Sequence, residues 1–155
     1  MKKILVRLLL TTLLCLLLLP AQVFAADTVT VYLDPVNGSD TADGLTEATA
    51  VLTVAKAYEK FADAASGRVV FLDTLTLEKE TSFPKTTVPV VITSKDGSQG
   101  IASNNAVRFF GPTTLENMTV TLTKASGTAS QALYGEGKKF IIGENVTSVG
   151  TDGYY

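Results

Sequence analysis

Apolar and polar residues alternate over short segments in most of the chain, and a period of two is typical of β-strands. The alternation is clearest in residues 28–33, Thr-Val-Thr-Val-Tyr-Leu, and it runs longest in residues 115–123. Turn-forming Gly, Asn, Asp and Ser residues separate the segments, so the pattern predicts an all-β protein. Further short strands are predicted at residues 68–72, 75–77, 88–93, 107–110, 140–142 and 146–149.

Residues 51–65 follow the helical period instead. Val54, Tyr58, Phe61 and Ala65 recur at the spacing of one helix face, and charged side chains occupy the opposite face. We expect this helix to pack on the core or to cap it, rather than to bind a ligand.

The first 25 residues have the three parts of a secretory signal peptide. Basic residues at the start precede an apolar run over residues 8–19, and small residues then lead to a cleavage site after Ala25. The apolar run is shorter than the roughly 20 residues that a membrane span needs. We therefore predict a secreted or cell-surface protein that keeps no stable membrane span after cleavage.

Charge and composition exclude several classes of function. Cleavage leaves 10 basic against 15 acidic residues, a net charge of −5, and no basic patch that would bind nucleic acid. It also removes Cys15, the one cysteine, and the chain contains no histidine. Ser-His and Cys-His nucleophiles and histidine-bearing zinc sites are thereby excluded. We assign no catalytic residue and no cofactor-binding residue, and favour a non-catalytic role for this chain alone.

A short motif occurs twice, as Glu-Asn-Met-Thr at residues 116–119 and as Glu-Asn-Val-Thr at residues 144–147. An offset of 28 residues suits one coil of a solenoid. Asn117 and Asn145 are then predicted to be structural, in left-handed bends that asparagine tolerates, with amides that hydrogen-bond along the stack.

The acidic residues of the motif, Glu116 and Glu144, would lie about 5 Å apart if the copies are adjacent. They could share a cation or form a paired-carboxylate site. We favour exposed turn positions, because no Arg or Lys partner comes from the same repeat.

Four oxygen-bearing side chains are grouped in the loop after the first strand: Asp34, Asn37, Asp40 and Asp43. Carboxylate and amide oxygens are calcium ligands, so calcium is the one cofactor that the sequence suggests. The spacing differs from that of an EF-hand loop. We favour turn hydrogen bonds as the role of these residues and retain calcium binding as the alternative.

The same loop resembles a known family. The segments are 32–40 (Tyr-Leu-Asp-Pro-Val-Asn-Gly-Ser-Asp), 43–44 (Asp-Gly), 48–50 (Ala-Thr-Ala) and 53–57 (Thr-Val-Ala-Lys-Ala). They are similar to the N-terminal cap of secreted, pectate-lyase-like parallel β-helix proteins, which include bacterial surface proteins and polysaccharide-active enzymes. The chain has Ala50-Val51 where that family has Pro followed by an aromatic residue.

This resemblance covers about residues 30–65 and implies a right-handed parallel β-helix, or solenoid. We expect about three coils with an N-terminal α-helical cap. The predicted organisation is a signal peptide over residues 1–25, a strand, loop and capping helix over 26–66, and β-helix coils over 67–155. The coils are expected to be incomplete at the C-terminus.

Three functions remain open on the sequence. We favour an exported, adhesin-like or scaffold module that contacts a polysaccharide or cell-wall component. The first alternative is the N-terminal part of a polysaccharide lyase or glycoside hydrolase whose active site lies on later coils. The second is a small carbohydrate-binding domain that uses Tyr134 and Tyr154–Tyr155 as a sugar platform. An open last coil around Phe140, Ile142 and Val146 would be covered by the rest of a longer chain or by end-to-end self-association.

Overall fold

The computed structural model describes residues 27–61, 63–123 and 133–150. The predicted signal peptide and Tyr154–Tyr155 lie outside these residues. No helix in the described part of the chain is long and apolar enough to cross a membrane. One α-helix, α1 (Val54–Glu59), and a 3-10 turn (Glu47–Thr49) accompany the strands. The strands are β1 (Thr28–Leu33), β2 (Ser66–Phe71), β3 (Leu75–Leu77), β4 (Thr81–Phe83), β5 (Val90–Ser94), β6 (Gly100–Ser103), β7 (Val107–Phe109), β8 (Thr113–Leu115), β9 (Met118–Leu122), β10 (Leu133–Gly135), β11 (Phe140–Ile142) and β12 (Val146–Gly150).

The strands form three sheets, and every pair of neighbouring strands is parallel. The largest sheet has the order β1-β2-β5-β8-β11, and the others have the orders β3-β6-β9-β12 and β4-β7-β10. From β2 onward the chain adds one strand to each sheet in rotation, and then returns to the first sheet. The prediction of an all-β protein is confirmed.

The predicted strand over residues 115–123 begins too early: β9 occupies Met118–Leu122, and Leu115 belongs to a separate strand, β8. β8 ends at Leu115 and β9 begins at Met118, and Asn117 between them has a φ of 45°. A left-handed residue interrupts an extended strand. Strands β4, β6 and β10 were not predicted, since three or four residues are too few to display a clear period.

The predicted helix over residues 51–65 is too long. Helix α1 covers Val54–Glu59 only, and it begins after Thr53, whose hydroxyl oxygen accepts a hydrogen bond from the third residue of the helix at 3.2 Å. Phe61 is buried although it lies beyond the helix, whereas Ala65 is exposed. The chain leaves the helix early because it must reach the start of β2 at Ser66.

The core contains a row of aromatic rings that begins beside α1. The Tyr58 and Phe61 rings lie 5.6 Å apart, and Tyr58 meets Phe83 edge-on at 6.2 Å. Phe109 then lies 4.5 Å from Phe83 and 5.0 Å from Phe140. One segment or strand after another supplies a ring, so the aromatic row connects the helix to β11. Tilted and offset contacts at these distances are favourable for aromatic pairs.

Two glycines make room for rings in this row. A Cβ atom on Gly67 would lie 2.7 Å from the ring of Phe61, and one on Gly135 would lie 2.5 Å from the Cβ of Phe140. At each end of the row, a strand has a glycine, and the space that a side chain would take there is filled by an aromatic residue from a neighbouring segment.

The free edge of β1 is covered by the loop that follows it. The Tyr32 N–H donates to the Gly44 carbonyl at 2.8 Å, and the Tyr32 carbonyl accepts from the Val51 N–H at 3.0 Å. The Asp34 N–H then donates to the Val51 carbonyl at 2.9 Å. Backbone groups that would otherwise be open to another chain are thereby satisfied within this loop.

Candidate functional site

The loop carboxylates proposed as calcium ligands are engaged in local hydrogen bonds. Asp34 Oδ1 accepts from the backbone N–H groups of Val36 at 3.0 Å and Asn37 at 2.8 Å. Slight burial raises the pKa of Asp34, but these hydrogen bonds outweigh it and hold the pKa below its ordinary value. The pair Asp34 and Asn37 forms a turn in which the carboxylate replaces backbone acceptors.

Asp40 ties the loop to the start of α1. Its Oδ1 accepts from the N–H groups of Leu52 at 3.0 Å and Thr53 at 2.9 Å, and its Oδ2 accepts from the Thr53 hydroxyl at 2.8 Å. Burial opposes the effect of these donors, yet the pKa of Asp40 is lowered overall. A carboxylate that accepts several hydrogen bonds favours its charged form.

Asp43 makes the same kind of contact within the loop. Its Oδ1 accepts from the Thr49 hydroxyl at 2.6 Å and from the Leu45 N–H at 2.9 Å, and the Thr49 bond is the main cause of its lowered pKa. Within residues 27–61, 63–123 and 133–150, no group of three or more His, Cys, Asp or Glu residues is placed to hold a metal ion. Donors of the loop itself bond to both oxygens of Asp40 and to Oδ1 of Asp34 and Asp43, as expected for turn hydrogen bonds.

The two repeat asparagines lie at equivalent corners of neighbouring strands. Asn117 and Asn145 have φ values of 45° and 55°, the left-handed conformation expected from the sequence. The Asn117 N–H donates to the Glu144 carbonyl at 2.9 Å, and Met118 pairs with Val146 across β9 and β12. The two copies of the motif are therefore adjacent.

The Asn117 side chain bonds to the backbone of a neighbouring strand. Asn117 Nδ2 donates to the Ser94 carbonyl at 3.2 Å, and the Ser94 hydroxyl donates to the Asn117 carbonyl at 2.8 Å. A second corner uses Asn105, whose Nδ2 donates to the Glu78 carbonyl at 3.0 Å. Ser94 and Asn105 were not predicted as structural residues, because neither belongs to the repeated motif.

Glu116 is half-buried rather than exposed, and its basic partner comes from outside the repeat. Arg68 Nη2 donates to Glu116 Oε1 at 2.6 Å, and Glu144 is exposed. Arg68 lies on β2 and Glu116 follows β8, so the ion pair spans the intervening strand β5. The partner lies 48 residues away in the sequence, outside the repeat, and the pairing of strands brings the two side chains together.

The charged cluster around Arg108 was also missed. Arg108 Nε donates to Glu80 Oε1 at 2.7 Å and its Nη1 donates to Glu136 Oε1, while its guanidinium carbon lies 4.8 Å from the Tyr134 ring centroid. The bonds to the two glutamates raise the pKa of Arg108. Both glutamates are 28 residues from Arg108, the offset of the repeated motif, so applying that offset to charged residues would have found the cluster.

An open groove of about 630 Å³ lies between α1 and the segment before β5. Tyr58 and Phe61 form its apolar floor, and Glu59 and Lys85 contribute charge. Tyr58 is largely buried, which raises the pKa of its hydroxyl even though Thr113 bonds to it. The volume falls within the range of small-ligand sites. The remaining lining residues are Ala55, Pro84, Thr86, Thr87 and Val88.

These side chains make contacts within the fold. The aspartates accept hydrogen bonds within the loop, Asn117 and Ser94 bond to each other's backbone carbonyls at a corner between strands, and the arginines pair with glutamates on other segments. Comparison with protein-family models, with curated proteins and with solved structures finds no match to this chain.

Proposed function

We propose that this chain is an exported, non-catalytic β-solenoid module of an extracellular or cell-surface protein, with an adhesin-like or scaffold role. In this proposal the three sheets are the faces of a right-handed parallel β-helix, and β1, its loop and α1 cap one end. The rotation of the chain through three parallel sheets supports this arrangement. So does the aromatic row, which begins beside α1.

The observation that carries the functional proposal is the use of the charged side chains. Asp34, Asp40 and Asp43 accept hydrogen bonds from their own loop, and Arg68 and Arg108 bridge strands. An acid–base pair for catalysis must instead be free to exchange a proton with a substrate. Residues occupied in this way favour a structural module.

Export is tested by expressing the full chain in a bacterial host and sequencing the N-terminus of the secreted product. We expect the product to begin at Ala26. An Ala25→Glu variant should accumulate as uncleaved precursor, because a large charged residue at the cleavage site blocks processing. A secreted product that retains residues 8–19 would contradict the proposal.

The lyase or hydrolase alternative is tested on the same purified product. We expect no turnover of pectin, alginate or related uronic polysaccharides, with or without calcium. Unsaturated product formed by clean protein would support the enzyme alternative, and Glu116 and Glu144 would be substituted first.

The groove beside α1 favours carbohydrate binding as a second candidate function. Its apolar floor and its hydroxyl and charged groups suit the mixed polarity of a sugar. Affinity electrophoresis against soluble polysaccharides would detect binding. Lys85→Ala should weaken it and Lys79→Ala, also exposed but outside the groove, should not. If polysaccharide retards both variants equally, the groove is not the binding site.

A further inference from the structure

At the end of the sheets formed by β10, β11 and β12, which we call the upper end, the core-facing Ile142 is exposed. Ile142 aligns with Leu115, which aligns with Ile92, along one row of the largest sheet. Leu115 and Ile92 are 0% exposed, whereas Ile142 is 54% exposed. In the described residues each of these three strands is paired on one side only.

The opposite end, formed by β1 and α1, does not offer the same surface. Its interior is closed by Tyr58 and Phe61, which are 8% and 1% exposed. The free edge of β1 is occupied by Gly44 and Val51 of the loop. In the described residues β3 and β4 are each paired on one side only, and the loop residues Val36, Leu45 and Leu52 are exposed. The edge of β1 is nevertheless covered, so β11 of one molecule has no strand edge of β1 to pair with in another. Open-ended stacking of chains is therefore disfavoured.

We propose that the upper end binds the upper end of a second copy of this chain, so that two chains form a closed two-fold dimer. A two-fold axis perpendicular to β11 places that strand antiparallel to the partner's β11. Each copy then uses the same surface, as a two-fold interface requires. The exposed Ile142 residues are buried in the contact, and the edges of β11 are paired.

Charges at the two corners of β11 match this geometry. Lys138 and Lys139 are exposed at the corner between β10 and β11, and Glu144 is exposed at the corner between β11 and β12. The two-fold operation exchanges the corners, so the basic corner of each copy meets the acidic corner of its partner. Opposite charges at these positions favour this register, and like charges would oppose it. This inference rests on the stacked sheets, and does not depend on export or ligand binding.

The experiment is sedimentation velocity on purified residues 26–155 from about 1 to 200 μM, which covers a micromolar dissociation constant. We expect a monomer–dimer equilibrium with no larger species. Glu144→Lys, and separately the double change Lys138→Glu and Lys139→Glu, should each weaken the dimer at least about tenfold. An equimolar mixture of the two variants should restore association, because each corner then meets the opposite charge again.

Two further variants separate the interface from folding. Ile142→Lys should dissociate the dimer without lowering the unfolding temperature measured at dilute concentration. Val36→Lys, at a site 63% exposed in the opposite end, should leave the dimer intact. A monomer at every concentration, open-ended oligomers, or a charge-variant mixture that stays dissociated would each overturn the proposal, whatever the outcome of the polysaccharide assays.

Discussion

Phe109 lies at the centre of the aromatic row, and its truncation is the strongest test of how the core is built. Its side chain is 0% exposed and lies between the rings of Phe83 and Phe140, at 4.5 and 5.0 Å. Phe109→Ala removes both ring contacts and leaves a cavity that close-packed neighbours fill only in part. A buried Phe→Ala change costs about 3–5 kcal/mol. For a domain of this size the melting temperature should fall by roughly 10–20 °C.

The chain offers a matched control in the next residue. Phe110 is half-buried, so Phe110→Ala should cost about 1 kcal/mol. The free energy of unfolding is measured for both variants by urea denaturation, followed by far-ultraviolet circular dichroism. If Phe109→Ala does not fold, Phe109→Leu replaces it, with an expected cost below that of alanine because most of the volume is kept.

Equal losses for Phe109→Ala and Phe110→Ala would mean that the row of rings contributes no more than an ordinary half-buried phenylalanine. A double change at Phe83 and Phe109 adds a second check. The two rings are in contact, so their losses should not be additive. Additive losses would indicate that the rings are energetically independent.

Two other predictions concern the region around α1. Phe61→Ala should lower the free energy of unfolding by about 3–5 kcal/mol because the ring is buried, while Lys60→Ala should change it little; equal effects in chemical denaturation would contradict the packing described for α1. The lowered pKa of Asp40 means that its carboxylate stabilises the fold above the ordinary value of 3.8, and that this stabilisation is lost as the pH falls through the lowered value. Asp40→Asn should therefore be less stable than the parent at pH 7, and the difference should shrink as the pH falls below 3.8. Thermal unfolding over this pH range would show it, and a difference that does not change with pH would contradict this role.

The local pattern of the sequence was enough to predict the class of the fold. Period-two alternation depends only on neighbouring residues, and β1, β3 and β11 have the predicted bounds. The repeated motif located the corners at Asn117 and Asn145, because a left-handed bend selects few residue types. Leu115 and Met118 are three residues apart, so the period of two breaks at the bend that separates β8 from β9, and the predicted strand ran across this break.

Contacts between distant residues were decided by the tertiary structure. The pairing of Arg68 with Glu116 joins residues 48 apart in the chain, and no local pattern relates them. The row of rings depends on the register of parallel strands, which places Phe109 beside Phe83. Helix α1 ends at Glu59 and the chain enters β2 at Ser66, although the helical spacing of apolar residues continues to Ala65. Local periodicity specifies elements, whereas the pairing of strands decides which side chains meet.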